Sequence, residues 1–444
     1  MLKLTADQQE AISYLYEGDA SLLVAATGAG KTVIGLTAMK ELLDAGEHKR
    51  FIVGVPAKVL ETQVWSKEVP KWAHLGGLRV RELDGTIKIR TTTLLQPAQI
   101  NIISLNNLEW LLKQDHRATG IIIDEISKAS GRWTRALRSK RYGDCFTWRC
   151  GMSATPVTQN LQKLFKIARV LDHGEALGGN EAKFLAKYFD SSFDGKQWVI
   201  RDDGSAEKIL TAVEHLIHVV PDTKAATLPA CHYHTIKFQM PKETRDIYEE
   251  MKTEMVVEVE EELIDYIDGG DQFIEDMTGE EELILDAANS AVSVGKQRQI
   301  ASGFMYADAE RKRILRLDQE RLLAAAEWWA KLDGRRGLLF YEFVEQGKAL
   351  ESWIPPTVEL AQINSMSHGV EGLQFQFADL LFYQQPWSRD AYEQCIGRVW
   401  RTGQEHEVNV TVLECEDSVD QIAISRVAGN AQWMEMLKAH MKGK

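Results

Sequence analysis

A chain of 444 residues is too long for one ordinary core and suggests two or three domains. Its composition, 44% hydrophobic and 26% charged, is that of a globular protein. No apolar run approaches the roughly 18 residues of a membrane helix, and the N-terminus lacks a basic-then-apolar signal pattern, so membrane and secreted classes are set aside. The net charge of −13 speaks against nucleic acid only until its distribution is read. Eighteen acidic and three basic residues lie between Pro241 and Asp286; elsewhere 47 acidic residues face 49 basic ones, which leaves room for a basic groove. Five scattered cysteines imply reduced thiols and a cytoplasmic setting.

In chain order, apolar runs alternate with helical patterns: SLLVAAT (21–27), a helix from about 31 to 45, RFIVGVP (50–56), INIISL (100–105), GIIIDE (120–125) and RCGMSATP (149–156). Apolar strands separated by helices indicate a parallel sheet covered on both faces. Cys145 and Cys150 lack the second pair that a zinc site needs. CHYHTIKFQM (231–240) alternates like a strand, which makes Cys231, His232 and His234 strand residues rather than ligands. From Pro241 to about Gln299, Met251, Met255, Val259 and Leu263 recur at helical spacing, predicting a helical insertion with one buried stripe. LDQERLLAAAEWWAKLDG (317–334) reads as a helix with Trp328 and Trp329 in or near a core. A second series of strands follows: GLLFYEF, VELAQINS, ADLLFYQQ and EVNVTVLE. The expectation is an α/β chain of two tandem lobes, 1–220 and 221–444, with the acidic insertion at about 241–300 inside the second.

AATGAGKT (25–32) follows a strand and opens a helix, the context of a phosphate loop. Thr27, Gly28, Ala29 and Gly30 form a curl whose N–H groups point at phosphate oxygens, and the helix N-terminus adds partial positive charge. Lys31 supplies a point charge for the β- and γ-phosphates of ATP, and the Thr32 hydroxyl is a ligand for Mg²⁺. IIIDEIS (121–127) ends an apolar strand on two carboxylates. Asp124 is the expected Mg²⁺ ligand, and Glu125 is expected to orient and deprotonate the attacking water. QCIGRVWRTGQ (394–404) carries Arg398 and Arg401 at a spacing that predicts one shared helix face. For GRWTRALRSKRY (131–142), a DNA-facing patch and a solvated helix both remain open.

These motifs together resemble the superfamily 2 helicases, and specifically the Swi/Snf-type double-stranded DNA translocases. LTADQ (4–8) resembles the adenine-reading start, with Gln8 as the base contact. VPAKVLETQVWSKEVPKW (55–72) resembles the segment that tracks a DNA strand and puts Pro56 and Lys58 near phosphate. IISLNNL (102–108) is similar to the next DNA-contacting motif, with Ser104 on the backbone. MSATPVTQNLQKLFKIARVLD (152–172) is similar to the coupling motif, with Ser153 and Thr155 linking hydrolysis to lobe motion. SHGVEGLQFQFADLLFYQQPW (367–387) resembles the glycine-rich coupling motif, with Gly369 and Gly372 at its turns. QCIGRVWRTGQ resembles the last motif: Gln394, Arg398 and the finger Arg401 join Lys31 and Glu125 as the catalytic set, and the closing Gly-Gln marks the Swi/Snf type. Ser127 stands where the family usually has a histidine.

The resemblance implies two RecA-like lobes, ATP and Mg²⁺ as cofactors, DNA-dependent ATP hydrolysis, duplex DNA as partner and a monomeric motor of the minimal bacterial or phage kind. A strand-separating helicase on DNA or RNA, and a nucleotide-dependent scaffold without turnover, are the competing readings. The sequence does not specify a recruiting protein.

Overall fold

The computed structural model describes residues 2–442 apart from 130, 158–160, 192–197, 222–227, 261–263, 267–281, 287–289, 308–312 and 367–371. The chain divides into two compact units. Met1–Thr227 and Ala428–Lys444 belong to the first, and Leu228–Ser367 and Glu371–Val427 to the second.

The first unit is built on a seven-stranded sheet, every pairing of which is parallel. Its strands run in the order Val80–Glu82, Ile100–Ser104, Phe51–Val55, Gly120–Asp124, Trp148–Ser153, Ala20–Val24 and Ile217–Val219. Both faces are covered, so the central strands are buried along their whole length and read as continuous apolar runs. The helix Lys31–Asp44 packs Val33, Ile34, Leu36, Met39 and Leu42 into the core on one face, where Trp65 and Trp148 also lie. The other face is closed by Phe165, Phe184 and Ile209, together with Met434 and Leu437 from the end of the chain. Those last residues had been expected in the second lobe; their apolar side chains put them in the core of the first.

The second unit has a five-stranded parallel sheet in the order Cys231–Phe238, Val408–Cys415, Asp379–Phe382, Gly337–Tyr341 and Val358–Gln362. The alternating CHYHTIKF segment is its edge strand, as read from the sequence. Trp328 is buried beside it and Trp329 packs against the same cluster. Two α/β units, each with a parallel sheet, agree with the expected α/β chain of two lobes.

The acidic region departs from a continuous helix. It is helical at its ends, Lys242–Thr253 and Ser290–Ile300, but Met255 takes φ +61° and Val256–Glu260 forms an antiparallel pair with Glu282–Asp286. Met251 is buried as expected, Val259 is in a strand, and Leu263 lies outside the described residues. The run Val256, Val257, Val259 explains the change, since β-branched side chains lose freedom in a helix and fit a pleated strand.

Candidate nucleotide site and its neighbours

Every catalytic or binding position expected in the first unit, Gln8 excepted, follows a strand at the same edge of the sheet. The carboxyl ends of Ala20–Val24, Phe51–Val55, Ile100–Ser104, Gly120–Asp124 and Trp148–Ser153 deliver Ala25, Pro56, Ser104, Asp124 and Ser153. This is where open parallel sheets bind ligands. Trp148–Ser153 lies between the loop strand and the acidic strand, with Val24 opposite Ser153 and Asp124 opposite Met152.

The loop itself curls through left-handed residues, Gly28 at φ +81° and Gly30 at φ +90°. Open space surrounds Gly28, so its backbone angle alone requires glycine. At Gly30 a Cβ would also meet Gln8 Nε2 at 2.5 Å. Gln8 is committed at both ends of its amide. Its Oε1 accepts the Thr5 N–H at 3.0 Å in a capping box, and its Nε2 donates to the Ala29 carbonyl at 3.0 Å. Thr27, Ala29, Lys31 and Thr32 are half-buried along the same turn. The Lys31 ammonium folds back onto the Ala25 carbonyl at 2.9 Å and the Ala26 carbonyl at 3.4 Å.

Asp124 is 9% exposed and accepts a hydrogen bond from Trp65 Nε1 at 3.2 Å. Glu125 turns the chain through φ +56° directly after the strand. Burial pushes the Cys150 thiol up, with the Asp124 charge adding to it, so this cysteine is an inert core group. Ser127 Oγ is buried and finds no hydrogen-bond partner among the described residues. Ser153 is fully buried: its carbonyl accepts the Ala25 N–H at 3.1 Å, and its Oγ accepts the Thr155 N–H at 3.1 Å. Of the expected coupling residues, Ser153 therefore bonds directly to the start of the phosphate loop, and Thr155 bonds to Ser153.

The donor set fits Mg²⁺, a hard cation that prefers oxygen. Thr32 and Asp124 offer a hydroxyl and a carboxylate, and no group of three or more His, Cys, Asp or Glu suited to a metal occurs among the described residues. A metal shared between one carboxylate and substrate phosphates matches how Mg²⁺ is usually held.

The expected DNA contacts differ in exposure. Pro56 is buried at the start of a short helix, Lys58 is exposed but paired with Glu61 at 3.0 Å, and Ser104 is 3% exposed with its Oγ accepting from Asn107 at 2.9 Å. In GRWTRALRSKRY, Arg132, Arg135, Lys140 and Arg141 are exposed, while Trp133 is buried and Tyr142 lies under the Arg141 guanidinium.

In the second unit the helix Arg389–Val399 carries Gln394, 8% exposed, and Arg398, half-buried. Arg401 is not on that helix. Trp400 leaves the helical region with ψ 79°, held by its Nε1 bond to the Pro229 carbonyl at 2.8 Å, so the two arginines do not share a helix face. The turn that follows has a physical reason for Gly-Gln. Gly403 lies at φ +95°, where a Cβ would meet the Phe375 ring at 2.9 Å. Gln404 is 6% exposed and donates to the Phe377 and Val399 carbonyls at 2.9 and 3.3 Å. Gly372 takes φ +88° as a turn glycine; Gly369 lies outside the described residues. Trp387 is half-buried between the guanidinium groups of Arg298 and Arg426. Trp65, the Ala29 carbonyl and the Gln404 brace are contacts that sequence spacing did not reveal.

A curled glycine loop opening a helix, with an acidic strand one strand away on the same parallel sheet, defines the phosphate-loop class of ATPases. Residues 5–164 match the DEAD/DEAH box helicase family. Along its whole length it is similar to "Putative protein p41" of Acyrthosiphon pisum secondary endosymbiont phage 1, 25% identical over 98% of this chain and 97% of that one. It is also similar to "Uncharacterized ATP-dependent helicase YqhH" of Bacillus subtilis, 19% identical over 90% of this chain and 73% of that one. A looser likeness, TM-score 0.45 at 16% identity, is to the Sulfolobus solfataricus SWI2/SNF2 ATPase core in complex with dsDNA, over 96% of this chain and 91% of that chain. No described helix is long and apolar enough to cross a membrane.

Proposed function

We propose that this chain is a Swi/Snf-type motor that hydrolyses ATP when bound to double-stranded DNA and moves along it, remodelling DNA or protein–DNA complexes. The observation that carries the reading is the shared sheet edge of the first unit, where Gln8, the glycine loop, Lys31, Asp124 and Ser153 form one connected set. The sequence QCIGRVWRTGQ adds the last motif, and the Bacillus subtilis relative bears a helicase name.

In this reading Lys31 leaves the Ala25 carbonyl to meet the β- and γ-phosphates, and the N–H groups of residues 27–32 receive the phosphate oxygens. Thr32 and Asp124 would hold Mg²⁺, which would neutralise phosphate charge. Glu125 takes the proton of the attacking water. Ser153 and Thr155 pass a change at the loop into the rest of the lobe, and Pro56, Lys58 and Ser104 meet DNA phosphates. Arg398 and Arg401 supply positive charge for the transferring phosphoryl group, with Gln394 beside them. The protein acts as a monomer.

Turnover measured with duplex DNA, single-stranded DNA and RNA tests the proposal. Strongest stimulation by duplex DNA is expected, whereas preference for single strands or RNA would favour a strand-separating helicase. Arg401→Ala is expected to lower DNA-stimulated turnover by roughly 10³-fold while ATP binding is kept. Turnover like that of the wild type in this variant would sink the assignment of Arg401.

A further inference from the structure

We infer that Trp65 is a positioning residue for the metal-side carboxylate, its indole N–H holding Asp124 in the orientation that Mg²⁺ needs. The inference rests on the proposed reading of Asp124 as a Mg²⁺ ligand. Trp65 belongs to the short helix Val64–Glu68, which the chain enters through Gln63 at φ +58°. It is 1% exposed, and its Nε1 donates to Asp124 Oδ2 at 3.2 Å.

The ring has no freedom to follow a moving carboxylate. A Cβ added at Gly35, in the helix that begins with Lys31, would meet Trp65 Cη2 at 3.1 Å and Met152 Cε at 2.7 Å. One side chain is thus wedged between the phosphate-loop helix and the acidic strand, and it projects from the segment that also carries Pro56 and Lys58. Indole has a single donor and no acceptor, so a buried tryptophan fixed by packing can satisfy a carboxylate oxygen at only one place. Partners of this kind, which orient a metal-binding carboxylate without touching the metal, typically change metal affinity by about 10- to 100-fold when removed.

Filling the core is the simpler role for a buried tryptophan, and Trp72 supplies the control. It is 7% exposed in the same core, but its Nε1 donates to Glu68 at 2.7 Å rather than to a site residue. Trp65→Phe and Trp72→Phe remove the same donor and similar volume from one core. ADP affinity of the full chain, measured by calorimetry with Mg²⁺ and with a chelator, separates the roles.

Trp65→Phe is expected to weaken Mg²⁺-dependent ADP binding about tenfold or more and to raise the Mg²⁺ midpoint, leaving chelator affinity as in the wild type. Trp72→Phe is expected to leave both affinities unchanged. If thermal melting shows that Trp65→Phe has lost the fold, Trp65→Leu, a second filler without a donor, carries the same expectation. An unchanged Mg²⁺ midpoint in the folded variant, or an equal loss with and without metal, overturns the inference. Wild-type ADP binding that ignores Mg²⁺ overturns the reading of Asp124 as a Mg²⁺ ligand and this inference with it, whereas no ADP binding at all overturns the nucleotide-site reading itself.

Discussion

Gln8 is one residue with two structural duties. As the third residue of its helix it closes a capping box with Thr5, and its amide nitrogen holds the carbonyl of Ala29 in the phosphate loop. Gln8→Glu separates them. Glutamate is a good capping-box residue near a helix N-terminus, so the helix survives. The second carboxylate oxygen then faces the Ala29 carbonyl in place of a donor, which costs about 1–3 kcal/mol locally. ADP affinity is expected to fall roughly tenfold and the folded state to lose no more than that local cost of about 1–3 kcal/mol; calorimetry and melting on one sample check both. Equal affinity would show that the loop needs no brace. The sequence made the residue visible, since glutamine at that distance before a glycine loop matches a family motif. Its carbonyl partner was invisible, because a contact across 21 positions leaves no local pattern. Gln404 is the same case: its motif position was legible, but its bonds to the Phe377 and Val399 carbonyls were not.

Among elements, strands were more legible than the ends of helices. Apolar runs such as GIIID admit little besides a buried strand, and both parallel sheets follow from them. Where QCIGRVWRTGQ stops being helical depends on Trp400 finding a carbonyl 171 positions away, so spacing alone put Arg401 on the wrong side of a helix end. Val256–Glu260 was misread for a different reason: Val259 continues the helical spacing of Met251 and Met255, while Val256, Val257 and Val259 together favour a strand. Arg149 was not anticipated at all. At 3% exposure it opens the strand Trp148–Ser153 and donates to the carbonyls of Gly143 and Val170 at 2.7 Å, Leu137 at 3.2 Å and Phe146 at 3.4 Å. One guanidinium therefore serves three helix segments, and burial pushes its pKa down without a carboxylate bonded to it. Lysine lacks the planar fork that reaches several carbonyls at once. Arg149→Lys is expected to destabilise the protein by about 3 kcal/mol, the scale of buried acceptors left unmet. Urea unfolding gives the value, and a change below about 1 kcal/mol would mean that water replaces the lost donors.

Charge and titration are properties of the whole molecule, and they divide unevenly along it. Residues 1–227 carry 30 Lys and Arg against 26 Asp and Glu, whereas residues 228–427 carry 19 against 38. The first unit is the basic one, which suits a partner bound through phosphate, and it also holds the histidines that set the response to acid. His116 lies on Phe146 with ring centroids 5.3 Å apart and planes 5° from parallel, and its Nδ1 accepts the Ala118 N–H at 3.0 Å. An acceptor nitrogen cannot carry a proton. Burial depresses the pKa of this imidazole, and burial does the same at His218, which stacks on Tyr14. Below the ordinary histidine value near 6.5, the unfolded chain takes up protons that the folded chain refuses. Stability is therefore complete above that pH and declines as pH falls toward the depressed values, by up to about 1.4 kcal/mol per pH unit for the His116 proton and by less for His218, which water partly reaches. His116→Asn removes one titration while keeping a side-chain oxygen able to accept the N–H two residues on. Melting at pH 7.5, 6.5 and 5.5 (values bracketing the ordinary histidine pKa) is expected to show a shallower acid decline in the variant than in the wild type. Parallel slopes would place the acid sensitivity elsewhere, with His218, the other histidines lowered by burial and the carboxylates as the remaining sources.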